Sequence, residues 1–144
     1  MTKFLAPLVL LIGLFSIVTG TKTALAEQSK LIEMELNAQK QQGDHCQISF
    51  VMKNNLETSI KQLSMELVLF DQSSQVLNLL LLNSGPLPQQ KTRVKQFVLK
   101  QTRCDSIGQF LINDVKQCEG EDLTPQKCLG TLKLNSRTKS KLGL

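Results

Sequence analysis

Four cysteines, at positions 46, 104, 118 and 128, constrain this chain more than any other feature of its sequence. An even number of cysteines in a small protein of an oxidising compartment is typical of a disulfide framework. A zinc site is the alternative. No two cysteines are closely spaced, however, and the single histidine, His45, adjoins Cys46 instead of completing a ligand pair. We therefore expect two disulfides and no metal or other cofactor.

The first residues have the layout of a signal peptide. Lys3 precedes an uncharged run from Phe4 to Thr21, and the small-residue site Ala24-Leu25-Ala26 follows it. We predict cleavage before Glu27, which makes residues 1–26 the signal peptide and the mature protein periplasmic or secreted. An uncleaved membrane anchor is the alternative, because the run is near the lower limit of length for a spanning helix. No arginine pair precedes the run, which favours the general secretory route.

Distances favour one of the three ways in which four cysteines can pair. A strand from Cys104 to Cys118 would hold its ends about 45 Å apart and a helix about 20 Å, whereas a disulfide needs a Cα separation of about 6 Å. We therefore predict that Cys118 pairs with Cys128, across a short segment rich in turn residues, and that Cys46 pairs with Cys104.

The mature chain has the size of one domain with a basic end. Removal of 26 residues leaves 118, with 15 basic and 12 acidic residues. From Leu123 onward there are five bases and no acid. We predict a β-sandwich domain over residues 27–134 and a flexible basic tail over 135–144. Four basic side chains are candidates for contact with an anionic surface such as membrane phospholipid: Lys133, Arg137, Lys139 and Lys141.

Alternation of apolar and polar residues predicts about seven short strands. The segment Leu56 to Phe70 also fits helical spacing, and its strand prediction rests on the turn that follows at Asp71. Val76 to Leu82 has Asn78 as its one polar residue, and is interpreted as a core strand or, alternatively, as an exposed docking patch. The predicted strands are Leu31–Ala38, Cys46–Lys53, Lys61–Phe70, Val76–Leu82, Thr92–Leu99, Gly108–Val115 and Leu129–Leu134.

Seven strands separated by turns predict an all-β, immunoglobulin-like antiparallel sandwich stapled by the disulfides. In such a Greek-key arrangement the loops before the second and sixth strands lie at one end, where Cys46 and Cys104 fall. The sixth and seventh strands would form a hairpin at the other end, where Cys118 and Cys128 fall.

Several segments resemble a known family. They are Cys46, MELVLFD from Met65 to Asp71, Pro86-Leu87-Pro88, Val94 to Phe97, Cys104, Ile107-Gly108, LIND from Leu111 to Asp114, and Cys118. Together they are similar to small exported alphaproteobacterial proteins known as twin-arginine-signal domain proteins, over about Leu31 to Arg137. The strand pattern also resembles immunoglobulin-like extracellular modules named for an LYD motif. The resemblance implies an exported β-sandwich of unassigned function, although this chain lacks twin arginines.

Candidate catalytic groups are few. His45 is the one histidine available as a general base, and we interpret it as a surface residue. Paired acids occur at Glu33 and Glu35 and at Glu119 with Glu121-Asp122, without the spacing of a calcium loop. Asn113-Asp114 interrupts an apolar strand and is interpreted as a turn or bulge. The four phenylalanines of the mature chain fall on core-like strands, which argues against nucleic-acid binding.

These observations favour a non-enzymatic exported β-sandwich that acts through protein contact. The envelope of a bacterium or the medium around it is its expected place of action. A binding module for a small apolar or anionic ligand is the alternative function.

Overall fold

Alternating side chains decide where the strands form and which face of each strand is buried. The computed structural model describes residues 30–144, so the signal-peptide prediction for residues 1–26 lies outside the described residues. The secondary structure is β1 Ile32–Gln42, β2 His45–Asn54, β3 Gln62–Asp71, β4 Val76–Asn83, β5 Thr92–Leu99, a 3-10 turn at Cys104–Ser106, β6 Ile107–Glu119, α1 Pro125–Gly130, β7 Leu132–Ser136 and β8 Lys141–Gly143. Between residues 30 and 144, no helix has the length and hydropathy needed to span a bilayer.

The strands form two four-stranded sheets that pack face to face, which confirms the predicted all-β sandwich. The first sheet has the order β5-β2-β1-β7 and the second the order β4-β3-β6-β8. Strands β1, β2 and β5 against β3 and β6 match strands A, B and E against C and F of an immunoglobulin-type sandwich. The first six strands confirm the positions predicted from alternation.

The core lies between the sheets and is built from the inward residues of each strand. Ile32, Met34 and Leu36 of β1 are buried, as the period of two predicts. At the centre, the ring of Phe50 on β2 meets the ring of Phe110 on β6 edge to face, with centroids 5.9 Å apart. This contact joins the two sheets directly.

The described residues form two disulfides, and the cysteines pair as predicted from the sequence. Cys46 bonds to Cys104, with a Cα separation of 5.0 Å, and Cys118 bonds to Cys128, with a separation of 6.5 Å. The first bond ties β2 to the 3-10 turn before β6. The predicted hairpin at the second bond is wrong, because β6 and β7 lie in different sheets and Cys128 lies on α1.

The C-terminal part of the chain differs most from the prediction. The expected strand Leu129–Leu134 is divided between α1, which begins after the N-cap Thr124, and β7. Because Pro125 is pre-organised for the first turn of a helix and Thr124 accepts a hydrogen bond from the backbone N–H of Lys127, the helix is favoured locally.

The predicted flexible tail over residues 135–144 is also ordered. It contains the end of β7 and all of β8, so the sandwich has eight strands, not seven. Both added strands pair in parallel, β7 with β1 and β8 with β6, and the sheets are therefore mixed rather than purely antiparallel. Between them, the buried Ser140 donates a hydrogen bond to the carbonyl of Ile107 (2.7 Å). Polar contacts of this kind leave no apolar pattern in a sequence.

Candidate functional site

Strand β4 presents aliphatic side chains to solvent. Val76, Leu79 and Leu81 are 65%, 58% and 60% exposed, and Leu77 is 43% exposed. The preferred interpretation of Val76–Leu82 as a core strand holds for Leu82, which is buried, but is wrong for these four residues. Its alternative, an exposed patch, describes these four residues.

The position of β4 explains the exposure. It is an edge strand of its sheet, and among the described residues it pairs with β3 alone. A strand with one neighbour buries one face and leaves the outer face and one backbone edge in solvent. Because Val76–Leu82 is apolar on both faces, the sequence predicted a strand buried on both sides, but β4 lies at an edge of its sheet.

The backbone register shows which groups of β4 face the open edge. The N–H of Ser84 donates to the carbonyl of Leu63 (2.9 Å), and hydrogen-bonded pairs alternate along an antiparallel ladder. Residues 80 and 82 therefore bond to β3, whereas Leu79 and Leu81 direct their N–H and C=O groups away from it. The N–H of Leu79 donates to the side chain of Asn78 (2.8 Å). The N–H and C=O of Leu81 are left facing the open edge.

The outer face of this sheet carries a continuous apolar surface, which we call the β4 patch. Leu79 of β4 lies opposite Val68 of β3, which lies opposite Leu111 of β6. Val68 points outward between the core residues Leu67 and Leu69, yet it is only 8% exposed because its neighbours cover it. The patch consists of Val76, Leu79 and Leu81 with Val68, Phe70 and Leu111.

A second feature, the edge groove, runs between the open edges of β4 and β5. Its volume is about 410 Å³, and its apolar lining includes Leu80 and Leu82 on one side and Phe97 and Leu99 on the other. Lys95 and Lys100 also line the groove, and no acidic residue does. Lys95 lies opposite the core residue Phe50 in the β2–β5 register, so its side chain enters the gap between the sheets.

Comparison with known proteins gives a fold but no family. No family model matches the chain, and no curated protein matches it. The solved structure of IrmA from Escherichia coli is similar, with a TM-score of 0.54 and 13% sequence identity. The match covers 72% of this chain and 90% of that chain. At this identity the likeness shows the fold alone, and the family resemblance of the sequence stays a prediction.

The single histidine has structural partners. Nδ1 of His45 accepts a hydrogen bond from the backbone N–H of Gln101 (3.2 Å) and lies 3.2 Å from the carboxylate of Asp44. It stands at the start of β2, beside the Cys46–Cys104 disulfide, and is partly exposed. No group of three or more histidine, cysteine or acidic side chains within residues 30–144 has the arrangement to hold a metal ion.

The paired acids on β1 belong to a charged face on the other sheet. Glu35 accepts a hydrogen bond from Nε of Arg137 (2.8 Å), and Glu33 lies 3.8 Å from Nζ of Lys133. A hydrogen bond from Asn37, and after it one from Arg137, lowers the pKa of Glu35 below its ordinary value. Lys133 and Arg137, two of the four candidates for anionic contact, thus face carboxylates in the structure. Lys139 and Lys141 form none of the ion pairs found among residues 30–144.

Asn113 occupies a β-bulge, as one of its two interpretations predicted. Opposite β3, Leu67 pairs with Ile112 and Glu66 with Asp114, which leaves Asn113 without a partner residue. Its amide donates to the carboxylate of Glu66, and Lys116 bonds to Asp114 and Glu66. The hydrogen bond of Lys116 with Asp114, and after it that with Glu66, raises the pKa of Lys116. The bulge therefore places a charged cluster on β6 and β3 beyond Val68 and Leu111.

The lysines of the edge groove were not singled out by sequence reasoning. A signal for them exists, because residues 72–104 contain five basic residues and no acid. The balance of acids elsewhere in the domain concealed this local excess.

Proposed function

We propose that this is an exported, non-enzymatic β-sandwich protein that acts through protein–protein contact, in the bacterial envelope or as a secreted factor. The observation that carries the proposal is the β4 patch on an open edge strand. Soluble proteins seldom leave a contiguous aliphatic surface uncovered unless it serves an interaction. The core of a protein interface is likewise apolar and poor in charge.

The absence of charged residues and proline from β4 supports the same function. Open edge strands are usually guarded by charges or proline, because they can pair with other chains. Strand β5 has such a guard in the inward-facing Lys95. Strand β4 has neither a charged residue nor a proline over Val76–Asn83. We infer that this edge is kept available for a partner.

The proposed place of action is the periplasm or the cell exterior, after cleavage before Glu27. Two disulfides agree with an oxidising compartment of this kind. The signal-peptide layout of residues 1–26 supports the route.

A matched pair of charge substitutions tests the function. Leu79 on β4 and Val94 on β5 are 58% and 60% exposed, and both lie on the outer face of an edge strand. We expect Leu79→Asp and Val94→Asp to fold with melting temperatures close to wild type, because neither side chain is buried. Chemical cross-linking of the tagged protein in its native compartment should yield a discrete complex for wild type and Val94→Asp, and lose it for Leu79→Asp. Equal complex formation by all three proteins would contradict the proposal.

The edge groove favours one second candidate function, the binding of a small apolar or anionic ligand. Its volume of about 410 Å³ is within the range of ligand sites, and lysines stand beside leucines in its lining. Mass spectrometry of the protein purified under native conditions from its source would detect a stoichiometric ligand. A ligand without any protein complex would favour this function over protein contact.

Contact with an anionic surface through the basic C-terminal residues is a further proposal for partners. Lys139 and Lys141 carry it, since Lys133 and Arg137 face Glu33 and Glu35. Salt-dependent binding to anionic vesicles that Lys139→Glu/Lys141→Glu abolishes would support it.

A further inference from the structure

We propose that the partner of this protein contributes an extended acidic segment, which adds as a strand to the open edge of β4 and lies over the edge groove. This inference rests on the proposed function of protein contact and names the chemistry of the partner. Three properties of the edge lead to it: the direction of its backbone groups, the apolar lining of the groove and the sign of its charge.

The backbone of β4 presents the groups that strand addition requires. The N–H and C=O of Leu81 face away from β3, and the C=O of Leu79 does so as well. An added strand would form its central pair of hydrogen bonds with Leu81. This is the main-chain recognition found where extended peptides extend a sheet.

The edge groove lies where alternate side chains of the added strand would point. Side chains of a strand alternate between the two faces of its sheet. One set would enter the groove against Leu80, Leu82, Phe97 and Leu99. The other set would lie beside Leu79 and Leu81 and extend the β4 patch. The added segment must therefore carry apolar residues on both faces.

The charge of the groove selects an acidic partner. Residues 72–104, which include β4 and β5, contain Lys91, Arg93, Lys95, Lys100 and Arg103 and no acid. Arg103 pairs with Asp105, whereas none of the ion pairs between residues 30 and 144 includes Lys95 or Lys100. The ammonium of Lys95 also lies near the end of β4, since a Cβ built on Gly85 would be 3.8 Å from Nζ. A carboxylate on the added strand would meet these two lysines at the groove.

The same charge disfavours a second copy of this chain as the occupant. An isologous dimer through β4 would bring the β5 edge of one copy towards the β5 edge of the other. Both edges carry Arg93, Lys95 and Lys100, so like charges would face each other across the dimer axis.

Selection from a random peptide library displayed on phage, panned against the oxidised mature protein, tests the inference. Peptides of about ten residues are long enough to cover the strand. We expect enriched peptides to carry apolar residues at both odd and even positions, and to contain acids as well. Their synthetic, fluorescently labelled forms should bind in anisotropy titrations, and rising salt should weaken the binding.

Four variants locate the binding. Leu81→Pro removes the edge-facing N–H without removing a bond to β3, and Leu81→Ala controls for the lost side chain. We expect Leu81→Pro to bind about tenfold more weakly than Leu81→Ala. Lys95→Glu/Lys100→Glu should also lose about tenfold, while Lys139→Glu/Lys141→Glu, with the same charge change near the opposite edge, stays within about twofold of wild type. The lysine variants keep the test valid if Leu81→Pro does not fold.

Several results would overturn the inference. They are a selection that enriches no peptide, enriched peptides without acids, equal binding by both lysine double variants, and equal binding by Leu81→Pro and Leu81→Ala when both are folded. Sedimentation velocity that shows a wild-type dimer, lost in Leu81→Pro, would assign the edge to a second copy instead. If the inference fails while Leu79→Asp still loses its native complex, protein contact stands and only the strand-like partner is excluded.

Discussion

At the scale of single residues, one buried amide holds the turn between β2 and β3. Asn54 is fully buried, and its Nδ2 donates to the carbonyls of Thr58 (2.8 Å) and Leu87 (3.0 Å). Its Oδ1 accepts from the N–H of Leu56 (2.9 Å). The Asn54-Asn55 pair in the sequence marks the end of β2, as a turn signal should, but the sequence does not reveal that the first amide is buried among three backbone groups.

Replacement of this amide tests the role. Asn54→Ala leaves buried backbone groups without partners, and we expect a loss of about 3 kcal/mol in the free energy of unfolding. Asn113→Ala removes an exposed asparagine from the β6 bulge and should cost less than about 0.5 kcal/mol. Urea denaturation measures both, and equal losses would contradict the role assigned to Asn54.

The ion pair of Glu35 with Arg137, on the first sheet, makes the free energy of unfolding depend on pH in a defined direction. The pKa of Glu35 is lowered in the folded state from its ordinary value of 4.5, first by the hydrogen bond from Asn37 and then by that from Arg137. A lowered carboxyl pKa adds stability above the unfolded pKa, and this stability disappears as pH falls through the folded pKa. Glu35→Gln should therefore be less stable than wild type near neutral pH, with a difference that closes below pH 4.5.

Urea midpoints of both proteins between about pH 7 and about pH 3 measure this effect. Glu121→Gln, on the exposed segment before α1, serves as the control and should follow wild type throughout. A constant difference between Glu35→Gln and wild type would contradict the linkage.

At the scale of secondary structure, local alternation predicted β1 to β6 because each of these strands has an apolar face against the core. It did not predict that the outer face of β4 is exposed, and it did not predict the positions of α1, β7 and β8. The exposure of Leu79 and Leu81 depends on which strands lie beside β4, and β8 is positioned by pairing with β6 and by the hydrogen bond of Ser140. These are properties of the topology, which local patterns do not contain. The edge groove could not be predicted for the same reason, although its excess of lysine and arginine is visible in residues 72–104.

The two disulfides close loops of very different length. They span 58 and 10 residues, and on a chain-entropy argument removal of the longer should cost about 4 kcal/mol and of the shorter about 2.5 kcal/mol. We expect Cys46→Ser/Cys104→Ser to lower the free energy of unfolding more than Cys118→Ser/Cys128→Ser, in urea titrations of proteins with the other bond verified intact by mass. The reverse order would show that α1, and not loop closure, determines the second contribution.

At the scale of the whole molecule, the sandwich has two sides of opposite character. On one side, β7 and β8 are linked by the short segment that contains the buried Ser140. On the other side, β4 and β5 leave their edges open, with leucines and lysines around the groove between them. The outer face of the first sheet carries ion pairs along β1 and β7, such as Glu35 with Arg137. The asymmetry leaves the β4 side as the surface through which we propose that the protein works.

Site-specific photo-cross-linking at Leu79 in the living source cell tests this claim most directly. A photoreactive amino acid at position 79 should give a discrete heavier species on irradiation, because the side chain would lie inside the contact. The same amino acid at Lys133, on the outer face of the other sheet, should give none. A species of equal yield at both positions, or none at position 79, would contradict the claim that β4 is the surface of protein contact.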